Sequence, residues 1–385
     1  MRRLHFDSHC GVSDQVLRMI SVNSSNEILC PRLRELYWET RSYPLERHFL
    51  SPHLRDFSFL RFHLGQVPDE ILSNLTSVIA ELETSSLRSL RITIPQGPTS
   101  VGLESAVSST ILRCGPSLTT LSVPTPLSDA AIQHIMRLPK LARWSARNGP
   151  PGVSDLPLSD AFPQLEALEL HVEESLEWLP LFQATARRTS PGQGTNPLSY
   201  RVPGRKLTTL IYWAGISVDA ASISPVMSFH GLAYLALRSN CYHPDGCGFG
   251  LTDDDMAEMA AALPNLVDAS FGYVCTANSC RTTVSSLLFL STRCKNLEYL
   301  EVHFNTRNLR DDLKSMPENP RLRDLYTLSR CRLVQLSVSY APLRIDVEDY
   351  GTVLAGFLRI FPSLRELFGE ASSWGELNSK LCNKE

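Results

Sequence analysis

Cys241, His243, Cys247, Cys275 and Cys280 put four thiols and an imidazole on one stretch of chain. Tetrahedral zinc takes four such ligands, so this is the set with which the sequence could do metal chemistry. The gaps are five residues between Cys241 and Cys247 and four between Cys275 and Cys280. Those are not the two-residue knuckle of a zinc site, and the set reads instead as reduced thiols on loops of an intracellular chain. The run Asp245-Gly246-Cys247-Gly248-Phe249-Gly250 has the composition of a phosphate cradle without its spacing, and reads as a turn-rich loop. There is no Gly-x-Ser-x-Gly elbow, Walker A loop, His-Glu-x-x-His pair or dinucleotide fingerprint after a strand. His171 and His303 have no Asp or Cys nearby in sequence to set up proton transfer. The expectation is a protein that is not an enzyme, with no metal and no cofactor. The alternative is a metal-binding or enzymatic protein using the 241–280 loops.

The elements that hold these residues are set by a phrase that returns twelve times. Its anchors are Leu33, Leu54, Leu87, Leu118, Leu141, Leu165, Leu207, Leu232, Leu266, Leu297, Leu333 and Leu364. A proline stands two residues before seven of them, ending the preceding segment because it lacks an amide hydrogen and disfavours helix before it. Three residues after each anchor comes a second apolar residue, and two further on a third, failing only at Gly369. In Leu165-Glu166-Ala167-Leu168-Glu169-Leu170 this alternation predicts a short strand with Leu168 and Leu170 on one face, Ala167 and Glu169 on the other.

Between phrases lie stretches of helical spacing. Residues 69–84 stripe Ile71, Leu72, Leu75, Val78, Ile79 and Leu82, with Asp69 and Glu70 at the start. Residues 252–263 open on Thr252 as N-cap and bury Met256, Met259, Ala260 and Leu263. Further helices are predicted at 102–114, 128–138, 175–188, 282–294 and 346–361, and residues 187–206, rich in Pro, Gly, Ser and Thr, read as a loop insertion. Repetition of this kind predicts one α/β domain spanning 1–385, a leucine-rich-repeat solenoid of about twelve irregular repeats. Parallel strands would line a concave face, with helices on the convex side.

The solvent side of those strands is the candidate recognition surface. Positions two, four and six after the anchors collect Arg143, Ser145, Arg147, Ala167, Glu169, His171, Thr209, Ile211, Trp213, Tyr234, Ala236, Arg238, Tyr299, Glu301 and His303. Arg, Tyr and Trp are the types that dominate binding energy at interfaces. We therefore assign partner binding to Arg143, Arg147, Glu169, His171, Trp213, Tyr234, Arg238, Tyr299, Glu301 and His303.

A net charge of -3 supplies no basic footprint for nucleic acid, and no polybasic run suggests a membrane surface. MRRLHFDSHCGVSD lacks the apolar core of a secretory signal, and no run of apolar residues is long enough to span a bilayer. The ten cysteines are then expected as thiols in a cytoplasmic or nuclear protein.

The phrase Cys/Pro-x-Leu-x-x-Leu-x-Leu, together with helix ends at Arg113-Cys114, Arg293-Cys294 and Arg330-Cys331, resembles the leucine-rich repeats of ribonuclease-inhibitor-like proteins. More closely, the chain is similar to fungal F-box proteins whose C-terminal part is a divergent array of these repeats. The resemblance implies a substrate receptor of a cullin-type (SCF) ubiquitin ligase, with the repeats capturing a protein substrate and an N-terminal F-box docking on the ligase adaptor. No F-box precedes the first phrase. Its closest local match, Val67-Pro68-Asp69-Glu70-Ile71-Leu72, falls between the second and third phrases, where Pro68 reads as a first-turn proline of an array helix. The module is expected to be missing, lost or cut off by an internal start at Met1, an adaptor is a partner only if an F-box is present, and the further alternative is a free-standing leucine-rich-repeat scaffold without a ligase role.

Overall fold

The computed structural model describes residues 2–6, 19, 28–39, 47–60, 68–94, 101–147, 162–172, 207–214, 218–239, 248–272, 280–320, 322–328, 331–338, 347–369 and 372–382. They fall into two compact units, one ending at Leu170 and the other beginning at His171. The helix expected at 175–188 and the loop at 187–206 lie outside the described residues.

A recurring turn starts each repeat. The anchor amide donates to the carbonyl three residues earlier, as Leu33 to Cys30 (2.9 Å), Leu54 to Ser51 (3.0 Å), Leu266 to Leu263 (3.4 Å) and Leu364 to Phe361 (3.1 Å). The proline two residues before the anchor is thereby the second residue of a β-turn, the place its fixed φ suits best. It does more than end the preceding helix: it sets the angle at which the next strand leaves. The anchor leucines, the second apolar residues and the third apolar residues from Trp38 to Val338 are all buried. Truncating one such leucine to alanine is expected to cost about 2–5 kcal/mol.

In the first unit the strands are β1 (Arg3–Phe6), β2 (Glu35–Glu39), β3 (Asp56–Leu60), β4 (Ser89–Thr93), β5 (Thr120–Val123) and β6 (Arg143–Arg147), with β7 (Ala167–Val172) beginning at its end. β1 to β6 pair in chain order, all parallel, and the amides of Glu166 and Ala167 both donate to Ala142. The phrase count missed β1, in which Leu4 pairs with Leu36 and Phe6 with Trp38. The helices Asp69–Glu81, Val101–Arg113 and Asp129–Met136 stand where predicted. Pro68 sits one place earlier than expected, at the N-cap, and its carbonyl accepts from Ile71 and Leu72.

The second unit continues with β8 (Thr209–Ala214), β9 (Tyr234–Ser239), β10 (Asp268–Phe271), β11 (Tyr299–Val302), β12 (Gln335–Val338) and β13 (Glu366–Gly369), again parallel and in chain order. The helix Asp253–Ala262 carries a complete capping box between Thr252 and Asp255, and Val284–Arg293 is capped by Thr283. Neighbouring repeats are also tied helix to helix, since the Asp253 carboxylate accepts from the Thr283 amide (2.7 Å) and hydroxyl (2.6 Å). The cysteines that end helices serve the same stacking. Cys331 donates to Leu297 O at 3.2 Å and Cys294 to Leu263 O at 3.5 Å. Burial pushes the Cys114 and Cys294 thiols up to about 12 and Cys331 to about 11.

Where the phrase fails, the last helix supplies what is missing. A side chain at Gly369 would overlap Cδ1 and Cγ of Trp374, which is fully buried from the helix Ser372–Cys382. Asn378 of that helix accepts from the Leu367 amide at 2.9 Å. One helix thus fills the third core position of the last phrase and covers part of the strand edge that would otherwise face water. Each unit is an α/β leucine-rich-repeat solenoid: one layer of parallel strands, with helices against its apolar face. Among the described residues no helix is long and apolar enough to cross a membrane.

Candidate functional site

The face of each sheet turned away from its helices is the half-exposed one, as the alternating burial of Glu35–Glu39, Thr120–Val123 and Tyr299–Val302 shows. In the first unit Arg143 lies exposed on this face of β6 and Glu169 half-buried on β7. Arg147 ends β6, its side chain outside the described residues.

In the second unit the assigned residues meet. His171, Trp213 and Arg238 each stand six places after an anchor. The His171 ring stacks on the Trp213 indole with centroids 5.5 Å apart and planes 10° from parallel. The Arg238 guanidinium lies over the same indole, 4.7 Å from its centroid. Trp213 and Arg238 are paired in register on β8 and β9, so the contact follows from strand geometry. Arg238 then reaches across β10 to β11. Its Nε donates to Ser270 Oγ at 3.1 Å and its Nη2 to Glu301 Oε2 at 3.0 Å, while Ser270 Oγ donates to the same carboxylate oxygen at 2.7 Å. The Arg238 and Glu301 side chains are only 23% and 18% exposed, so solvent screens this pair less than an ordinary surface bridge.

Closer to the strand entrances, Asp268 of β10 lies in register between Tyr234 of β9 and Tyr299 of β11. Burial, and then the Glu301 charge, raise its carboxyl above the usual range. Its Oδ1 is buried and accepts no hydrogen bond among the described residues. Burial likewise raises the Tyr299 phenol, followed by the Glu301 charge. The result is a rigid polar and aromatic patch in which one indole is held between two flat groups and one carboxylate is underused.

Asp268 and Ser270 were not singled out in the sequence, although the same count of two and four residues from Leu266 finds both. Ala236, expected on the open face, is buried among taller neighbours. His303 is a correction. The count places it on the open wall, but its side chain is buried just beyond the end of β11 at Val302, although its amide still donates to Phe271 O at 2.9 Å. Gly272, with φ of +88°, makes room for it; a Cβ there would come 2.8 Å from the His303 Cβ. β8 and β9 run six residues each, which is why Trp213 and Arg238 keep the face that His303 loses.

Of the proposed metal set, Cys241, His243, Cys247 and Cys275 lie outside the described residues. Cys280 is buried, with its sulfur 2.9 Å from Thr282 Oγ1 and 3.3 Å from the His303 carbonyl. Among the described residues no three His, Cys, Asp or Glu side chains group to hold a metal. In the glycine run, Gly248 O accepts from the Val218 amide and the Gly250 amide donates back to Val218 O. The Gly250 amide is therefore already committed to a β-bridge and does not face a phosphate.

No family model matches the chain, and no curated protein matches it. Among solved structures, the chain is similar to one reported as the crystal structure of the Rad7 and Elc1 complex in yeast. That alignment has 14% identity, covers 86% of this chain and 84% of that one, and has a TM-score of 0.33. It is also similar to a leucine-rich-repeat protein of Leptospira interrogans, with 12% identity, coverage of 88% and 73%, and a TM-score of 0.37.

Proposed function

We propose that the protein is a protein-binding leucine-rich-repeat array whose second unit grips its partner on the open face of β8 to β11. The observation that carries this reading is the Trp213 indole fixed between His171 and Arg238, with Arg238 itself anchored by Ser270 and Glu301. Trp, Tyr and Arg held in place before binding lose little side-chain entropy on contact, the usual property of an interface hot spot. The Asp268 carboxylate between two tyrosines favours a partner that presents a hydrogen-bond donor or a basic side chain there. As the finer reading, we propose that the captured partner is a substrate for an F-box-type ubiquitin ligase, selected without chemistry by this chain.

The test is affinity capture with wild type and with Trp213→Ala combined with Arg238→Ala, each checked by circular dichroism. Proteins retained by wild type should bind the double variant at least tenfold more weakly, with an unchanged spectrum. Equal retention would place recognition elsewhere. Binding of purified ligase adaptor to the full chain tests the finer reading on its own, and its absence would leave a free-standing array.

A further inference from the structure

We infer that the strand-entrance edge of the first unit binds a compact polyanion, a small ligand carrying at least two phosphate groups. The residue one place after each anchor stands at this edge. Arg34 N donates to Arg2 O at 2.8 Å, Arg55 N to Arg34 O at 2.7 Å and Arg88 N to Arg55 O at 2.6 Å. Four arginines therefore occupy the same position on four successive strands, whose backbones lie about 4.8 Å apart. Repeat stacking does not ask for this: the same position in the second unit is filled by Thr208, Ala233, Val267, Glu298 and Val334 before Arg365.

Arg32 and His53, one place before their anchors, add to the edge. With Arg2, Arg34, Arg55 and Ser86 they line a cavity of about 370 Å³ that, among the described residues, contains no carboxylate. One residue further along the strands, Glu35 already pairs with Arg3 at 2.8 Å, and the Asp56 carboxylate offsets part of the charge of Arg88, Arg91 and Arg55. Stacked like charges on adjacent strands are unfavourable, so an array of them with no packing role marks a place where an anion enters.

Guanidinium forks match phosphate oxygens in pairs, and the four arginines lining the cavity exceed the charge of one phosphate. A diphosphate or triphosphate group balances them. The cavity is too small for a nucleic-acid backbone track, and the arginine run stops at Arg88, with Thr119, Ala142 and Glu166 following.

Calorimetric titration of the full chain with inorganic triphosphate at low ionic strength tests the site. Binding of one triphosphate per chain is expected, weakening as salt rises. Arg34→Gln and Arg55→Gln should each reduce affinity about tenfold or more with unchanged melting, and Arg34→Lys should lose less. Arg359→Gln, on the helix Tyr350–Ile360 of the second unit, should bind as wild type does. Flotation with vesicles bearing a bisphosphorylated headgroup separates the sources: loss of flotation in Arg34→Gln assigns a lipid headgroup, and no flotation beside triphosphate binding assigns a soluble ligand. Absence of triphosphate binding, equal binding by both glutamine variants, or monophosphate binding as tight as triphosphate would each overturn the inference.

Discussion

Replacing Gly369 with valine should damage the last repeat, and that added cost should disappear where Trp374 is already alanine. Trp374→Ala empties a fully buried site and is expected to destabilise by about 3–5 kcal/mol. At Gly369 an added side chain would overlap the indole and come 2.8 Å from the Trp374 Cβ, an overpacking that costs about 1–3 kcal/mol where neighbours can shift and more where they cannot. Independent effects would sum to about 4–8 kcal/mol. The structure gives another answer, because a valine at 369 with no indole opposite occupies the core slot that Val302 and Val338 fill in the preceding repeats. The double variant should then be no less stable than Trp374→Ala alone, a coupling of at least about 1 kcal/mol of opposite sign to the single costs. Hydrogen exchange of the segment 364–369 reads the local opening free energy directly, and the Leu367 amide held by Asn378 is its most sensitive reporter. Additivity within about 0.5 kcal/mol would show that the helix 372–382 does not fill that slot.

Asp253→Ala removes the carboxylate that accepts both the Thr283 amide and its hydroxyl, and should cost about 1.5–3 kcal/mol in denaturant unfolding, while exposed Asp254→Ala stays within about 0.5. Iodoacetamide at pH 8 should label Cys382 quickly and spare Cys114, Cys294 and Cys331 until denaturant is added, because thiols pushed up to about 11 or 12 hold almost no thiolate there; peptide mapping reads this, and equal labelling would contradict their burial. Asp268 binds its proton more tightly folded than unfolded. Wild type therefore loses stability as pH rises from about 3.8 through the raised value and keeps that deficit above it. Asp268→Asn should consequently be the more stable protein in urea at pH 7, with the difference shrinking as pH falls toward 3.8; a difference that stays constant with pH would refute the assignment.

The buried half of this fold was legible because each repeat states it again. Anchor, third and fifth positions carry apolar residues in phrase after phrase, and a period of two within a period of repeats has only one packing solution. What escaped was local. β1 escaped because counting back from Leu4 puts the anchor at Met1, which no leucine phrase announces. Gly369 looked like a failed phrase because the residue that completes it comes from a helix five positions on. His303 was misplaced because the face rule extends only as far as the strand does, and strand length, four residues in β11 against six in β9, is not announced by the phrase.

That same rule separates the two sites. Six places after the anchor the strand is ending, so a side chain there is free of the sheet's close packing on one side and can lie across its neighbours. Trp213 and Arg238 use that freedom, and the network they form draws each member from a different strand. One place after the anchor the backbone is already pinned, with one carbonyl receiving two amides from the next strand, as Arg34 O receives Arg55 N and Asp56 N. A side chain there can only point off the edge, and identical side chains on successive strands must stand side by side. A mixed set reaching across strands makes a surface with one shape, suited to discriminating among proteins, whereas a uniform ladder makes a line of charge, suited to a ligand whose own charges are closely spaced. If this division is correct, raising salt should release triphosphate from the first unit well before it weakens capture through Trp213, whose contacts are largely stacking and apolar. Capture that falls with salt as steeply as triphosphate binding would show that Arg238 acts as a charge and not as a support for the indole.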